Sequence, residues 1–100
     1  MLKVVNENNF EEEVLKKEKV LIDFNADWCG PCKMLGPVVE TVSNDITNVS
    51  FVSVNVDENP NLAKKYGVMS IPCLVVLENG EEIKRSVGLI SRDEIEKLVK

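Results

Sequence analysis

Two cysteines three residues apart, Cys29 and Cys32, enclose Gly30 and Pro31 in the stretch WCGPCK, directly after an apolar run, Val20 to Phe24, that a single aspartate interrupts. Such a pair suits thiol–disulfide exchange. If Cys29 caps a helix, Gly30, Pro31 and Cys32 fill its first turn, where a proline costs little because its missing N–H would have had no partner. Side chains three apart on a helix lie roughly 5–6 Å apart, so a small adjustment allows an S–S bond of about 2.05 Å. The cap sulfur faces free backbone N–H groups and the positive end of the helix dipole, which favour thiolate, the form that attacks disulfides. Cys32, one turn deeper, is expected to be less exposed and to act as the resolving thiol. It needs a base. Asp23 is the candidate, since a carboxyl in a central strand is desolvated and holds its proton above the usual range. A carboxylate satisfied by local hydrogen bonds at a strand end is the other reading of Asp23.

The chain contains no histidine. That removes Ser-His-Asp and Cys-His nucleophile systems, mixed Cys/His zinc sites and two-His carboxylate iron sites. A four-thiolate zinc site is also short of ligands, because Cys73 is the third and last cysteine. Neither a Walker A pattern nor GxGxxG occurs, and no metal or cofactor is implied. Lys33 reads as a solvated helix residue. Cys73 reads either as a small buried side chain opening a strand or as a redox-sensitive third thiol near the pair.

These side chains must be positioned by the rest of the chain. Leu2 to Val5 reads as a strand, and about Asn9 to Lys17 as a helix with Phe10, Val14 and Leu15 on one face. Val20 to Phe24 has the pattern of a strand buried on both faces. A helix follows WCGPCK to about Asn44 or Ile46, with a kink expected near Lys33 to Pro37. Phe51 to Val56 alternates as a strand, and Asn59-Pro60 opens a short helix ending at Gly67. Leu74 to Leu77 and Glu82 to Val87 flank the hairpin signal Glu78-Asn79-Gly80. Ser91 to Glu94 is a capping box, with Ile95, Leu98 and Val99 on one face of the last helix. The order predicts an α/β fold, a mixed central sheet with helices on both faces.

One hundred residues without a linker, repeat or low-complexity tract point to a single domain, residues 1–100. The formal charge of −5, from 12 basic and 17 acidic side chains, and the scatter of the basic ones disfavour nucleic-acid and anionic-membrane binding. The first twenty residues hold no apolar block of signal length, and no run of eighteen apolar residues occurs, so the cytoplasm is the expected compartment. A monomer is expected.

WCGPCK, with Asp23 upstream in IDFNADWCGPCK and Pro37, Ile71-Pro72, Glu78-Asn79-Gly80 and Val87-Gly88 downstream, closely resembles the thioredoxin family over essentially the whole chain. The resemblance implies a thioredoxin fold, a five-stranded mixed sheet flanked by four helices. It also implies roles: Cys29 as nucleophile, Cys32 as resolving cysteine, Gly30 and Pro31 as the pair that keeps the site reducing. Asp23 would take the proton of Cys32, and Pro72 would be a cis-proline packed against the disulfide. Trp28, Ile71, Pro72, Val87 and Gly88 would form the groove that receives substrate chain. Three positions depart from the family pattern: Asn25 where Trp is common, Ser53 where Lys is common, and Cys73 where Thr is usual. Without a lysine at 53, desolvation of Asp23 is less compensated and its pKa should be higher than in a Lys-bearing relative.

The function implied is that of a general protein-disulfide reductase acting on disulfide-bearing client proteins and recharged by a flavin-dependent thioredoxin reductase. Glutaredoxin-like and isomerase-like relatives usually place Pro-Tyr or Gly-His between the cysteines, where this chain has Gly-Pro. Outside enzymes, the same groove could hold a partner irrespective of redox state.

Overall fold

The computed structural model describes residues 2–100. Five strands form one sheet: β1 (Leu2–Val4), β2 (Lys19–Asn25), β3 (Ser50–Asn55), β4 (Cys73–Glu78) and β5 (Glu81–Val87), in spatial order β1-β3-β2-β4-β5. The first three run parallel, and β4 and β5 each reverse direction relative to their neighbour. The sheet is therefore mixed, with the β4–β5 hairpin at one side.

Three α-helices pack on this sheet: α1 (Gly30–Asp45), α2 (Pro60–Lys65) and α3 (Arg92–Val99). The helix expected near Asn9 to Lys17 is instead a short π-helical segment, Glu11–Leu15. Its closing bond runs from Lys16 N–H to Glu11 O at 3.1 Å, five residues back. Phe10 and Val14 still face inward, so the wider turn keeps the buried face that the sequence marks.

The two faces of β2 carry separate cores. Val20, Ile22 and Phe24 meet Phe10, Val14 and Leu62 on the side covered by the π-helical segment and α2. Leu21 faces Leu35, Val39 and Val42 of α1 and Ile95 and Val99 of α3. Spacings of three and four residues along α1 put its apolar side chains on one stripe, each worth roughly 1.5–3 kcal/mol when fully buried. Asp23 belongs to this second face, beneath α1.

Local signals end the elements where the sequence places them. Gly67, at φ 60°, closes α2 with paired bonds, Gly67 N–H to Lys64 O at 3.1 Å and Val68 N–H to Ala63 O at 2.9 Å. Asn79 and Gly80, at φ 51° and 83°, make the two-residue turn between β4 and β5. Ser91 and Glu94 form a reciprocal capping box on α3. Pro37 lies inside α1 and has no N–H to offer the carbonyl of Lys33. No helix among the described residues is long and apolar enough to cross a membrane.

Candidate active site

The topology gathers the chemistry at one end of the sheet. The chain leaves β2 and β3 there, enters β4 there, and leaves β5 there. The loop from β2 carries Ala26 to Cys29, and α1 begins one residue later. Cys29 is the N-cap of α1 in extended conformation, and Pro31 occupies the first turn. Cys29 and Cys32 are joined as a disulfide with their Cα atoms 5.2 Å apart. The Cys29 sulfur accepts a hydrogen bond from the Cys32 backbone N–H at 3.2 Å, the capping interaction anticipated for a sulfur at this position. A Cβ built on Gly30 would meet nothing within 4 Å, so no neighbouring group requires a glycine at this exposed position.

The expected contrast in exposure between the two cysteines is absent. Cys29 is 3% and Cys32 6% exposed. Both sulfurs are enclosed with Ala26, against which Val56 and Ile71 also pack. Walls from the β3 and β4 sides cover the capping residue as well as the deeper one, an effect invisible from helix position alone.

Asp23 is 2% exposed, and its Oδ1 has no hydrogen-bond partner. Burial pushes its carboxyl up to about 6, with a smaller opposing pull from the Asn25 amide. Of the two readings of Asp23, a carboxylate fully satisfied by local bonds is the one the geometry disfavours. An open cleft of about 440 Å³ is lined by Asp23, Cys32, Asn25 and Ser53, with Asp27 and Lys33 also on its wall. Lys33 itself is exposed.

Four of the residues expected to form a substrate groove, Ile71, Pro72, Val87 and Gly88, sit on the β4 and β5 side. The Ile71–Pro72 peptide bond is cis. Gly88 N–H donates to Pro72 O at 2.8 Å, and Val87 pairs with Cys73, so the two segments lie side by side. Pro72 is buried, Ile71 half-buried against the cysteines, and Val87 exposed. Trp28 is held from the β3 side: its indole N–H donates to Asp57 Oδ2 at 2.8 Å, leaving the ring 70% exposed. That bond spans 29 residues of sequence, and nothing near Trp28 announces it.

Cys73 resolves to the plainer of its two readings. It is 1% exposed within the core on the face opposite Asp23, and burial pushes its thiol up. Asn25, which stands where the family commonly has Trp, bridges two groups: its Nδ2 donates to the Asp23 main-chain O at 3.0 Å and to Ser53 Oγ at 2.8 Å. Among the described residues, no cluster of three or more His, Cys, Asp or Glu side chains is placed to hold a metal ion.

Comparison with known proteins agrees with this geometry. The family model described as Thioredoxin matches residues 1–100. A thioredoxin of Chlamydia trachomatis serovar D is 43% identical over 99 residues, covering 99% of this chain and 96% of the relative. One from Streptomyces clavuligerus is 48% identical over 89 residues, covering 88% of this chain and 83% of the relative. Among solved structures, a mutant thioredoxin from Halobacterium salinarum NRC-1 superposes with a TM-score of 0.90 at 39% identity, covering 98% of this chain and 87% of that one. With a disulfide-linked CxxC pair at the start of α1 and these relatives over nearly its whole length, the chain belongs to the thioredoxin family, whose members are protein-disulfide oxidoreductases working by dithiol–disulfide exchange.

Proposed function

We propose that Cys29 is the attacking thiolate, Cys32 the resolving thiol and Asp23 its proton acceptor in the reduction of client disulfides. The observation that carries this assignment is that Cys32 and the unpartnered buried carboxyl of Asp23 line one cleft. In the reduced protein the Cys32 N–H that now meets the Cys29 sulfur would favour a thiolate there. That thiolate attacks one sulfur of a client disulfide, and the other client sulfur leaves as a thiolate. Cys32 then passes its proton to Asp23 and attacks the Cys29 sulfur. The bond to the client breaks, its electron pair leaves on the client sulfur, and the Cys29–Cys32 disulfide remains. Two electrons have moved from the pair to the client.

Client chain is received by Ile71, Pro72, Val87 and Gly88 on one side and by the exposed ring of Trp28 on the other. Gly30 and Pro31 tune the pair toward reduction, as in relatives with the same two residues. The dithiol is restored by a flavin-containing, NADPH-dependent thioredoxin reductase. The protein acts as a monomeric single domain in the cytoplasm.

The test is reduction of insulin disulfides by dithiothreitol. The native protein is expected to accelerate it strongly and Cys29→Ser to abolish the acceleration. Cys32→Ser should accumulate the mixed disulfide. No acceleration by the native protein would overturn the reading.

A further inference from the structure

Strand β5 is not regular. Val75 and Val76 of β4 pair with Arg85 and Lys84, but Leu77 pairs with Glu82, so Ile83 is an extra residue in the ladder, a β-bulge. In an unbroken strand, side chains three residues apart point to opposite faces. The bulge cancels that offset. Glu82 and Arg85 stand opposite Leu77 and Val75, both members of the core that α2 covers, and therefore share one face. There the Arg85 guanidinium meets the Glu82 carboxylate as a fork, Nε donating to Oε2 at 2.8 Å and Nη2 to Oε1 at 2.9 Å.

With its plane fixed in this way, the same Nη2 also donates to the main-chain O of Tyr66, 19 residues earlier in the chain. Tyr66 is the C-cap of α2, and its ring packs against Phe10 and Phe24. Its carbonyl belongs to the peptide at which the chain turns into Gly67, at φ 60°. Residues 68–72 follow, and they carry Ile71 and Pro72. Val68 N–H is held by Ala63 O, and Pro72 O accepts from Gly88 N–H. Between those two points, the backbone of residues 69–71 makes no hydrogen bond among the described residues. The path of this segment is therefore set by what holds its ends, and β5 reaches both: Arg85 at the Tyr66 carbonyl and Gly88 at Pro72. Val87, between them, stands opposite Cys73.

We propose that Arg85 is a positioning residue for client binding: by fastening the Tyr66 carbonyl to β5, it fixes the segment that presents Ile71 and Pro72 to client chain. This rests on the reading of Ile71, Pro72, Val87 and Gly88 as the receiving groove. A partly exposed ion pair such as Arg85–Glu82 adds little to stability, so what the fork supplies is geometry. One wall of the groove is formed by residues 71–72 and the other by residues 87–88. Anchored to one strand at both ends, the two walls keep their separation before a client arrives, and no ordering of the segment has to accompany binding. Lysine is not an equivalent here, because an ammonium lacks the planar fork that engages Glu82 and Tyr66 together.

The experiment uses the full reduced chain, with initial rates measured across a range of insulin concentrations and, in parallel, against hydroxyethyl disulfide, which is too small to span the groove. Arg85→Ala is expected to raise KM for insulin about three- to tenfold, the worth of roughly one net hydrogen bond, while kcat and the rate with hydroxyethyl disulfide stay native. The backbone amide resonances of residues 69–71 should lose order in the same variant, and Arg85→Lys should recover part of the insulin KM. A native insulin KM in Arg85→Ala, even with a lower melting temperature, reduces the fork to a surface ion pair and overturns the inference. An equal loss with both substrates also overturns it, by placing the damage at the cysteines. So does a raised KM with the resonances of residues 69–71 unmoved, which would assign the effect to the charge of Arg85 rather than to the segment. Val87→Asp is the separate control: it places a charge in the groove itself, and a native insulin KM in that variant removes the groove reading and the role of Arg85 with it.

Discussion

At pH 7 the Asp23 side chain is an ionised group kept 2% exposed with one oxygen unpartnered, and this has a direct cost in stability. Its pKa is near 3.8 when unfolded and about 6 when folded, so the native state binds the extra proton between those values. Stability from this group is therefore full below about pH 4 and is lost as pH rises through 6; at 1.36 kcal/mol per pKa unit the loss is about 3 kcal/mol. The expected outcome is that native protein loses about 3 kcal/mol between pH 3 and pH 7 relative to Asp23→Asn, read from urea unfolding of the oxidised forms. A related test places a cation opposite the carboxyl. Ser53→Lys, at the register partner of Asp23, should lower its NMR midpoint, and an unmoved midpoint would show that residue 53 does not reach it. At this scale the sequence exposes the chemistry in part. Asp23 stands out because an apolar strand contains it, and the cysteines because of their spacing. The Asn25–Ser53 bond does not, since it joins residues 28 apart whose adjacency depends on strand register.

Elements were legible where a local device specifies them. The capping box on α3, the turn at Asn79–Gly80 and the glycine after α2 each name a backbone geometry through residue type. Gly67 offers a clean measurement, because a Cβ there would meet nothing within 4 Å and only its φ of 60° opposes substitution. Gly67→Ala should cost about 1–2 kcal/mol, lowering the melting temperature by roughly 4–15 °C while insulin reduction is retained. The π-helical segment was not legible. Phe10, Val14 and Leu15 fit the buried side of either helix type, and the choice lies in a five-residue backbone bond that carries no side-chain signature. The side on which Cys73 lies was equally hidden, because β4 is buried along almost its whole length and shows no alternation.

Across the whole molecule, two cores on opposite faces of one sheet hold the active end together without help from the disulfide. Cys29 and Cys32 are only three residues apart, so opening their bond frees a small loop, worth about 2 kcal/mol by chain-entropy reasoning. The reduced protein is therefore expected to keep its far-UV circular dichroism while its urea midpoint falls by about 1–2 M; collapse of the spectrum on reduction would show that the bond is structural. The overall layout was readable from the strand and helix order, whereas the burial of Cys29 was not, because it comes from loops after β3 and before β4 that meet only in the folded chain. The same layout leaves β5 as an outer strand, paired on one side by β4 and exposed along nearly its whole length. An unpaired strand edge is a template for other chains. Glu81, Glu82, Lys84 and Arg85 place four charges of mixed sign along that edge. Charges of this kind along an outer strand oppose edge-to-edge pairing with another chain, so the strand that ends beside Pro72 and Cys73 carries its own protection against aggregation.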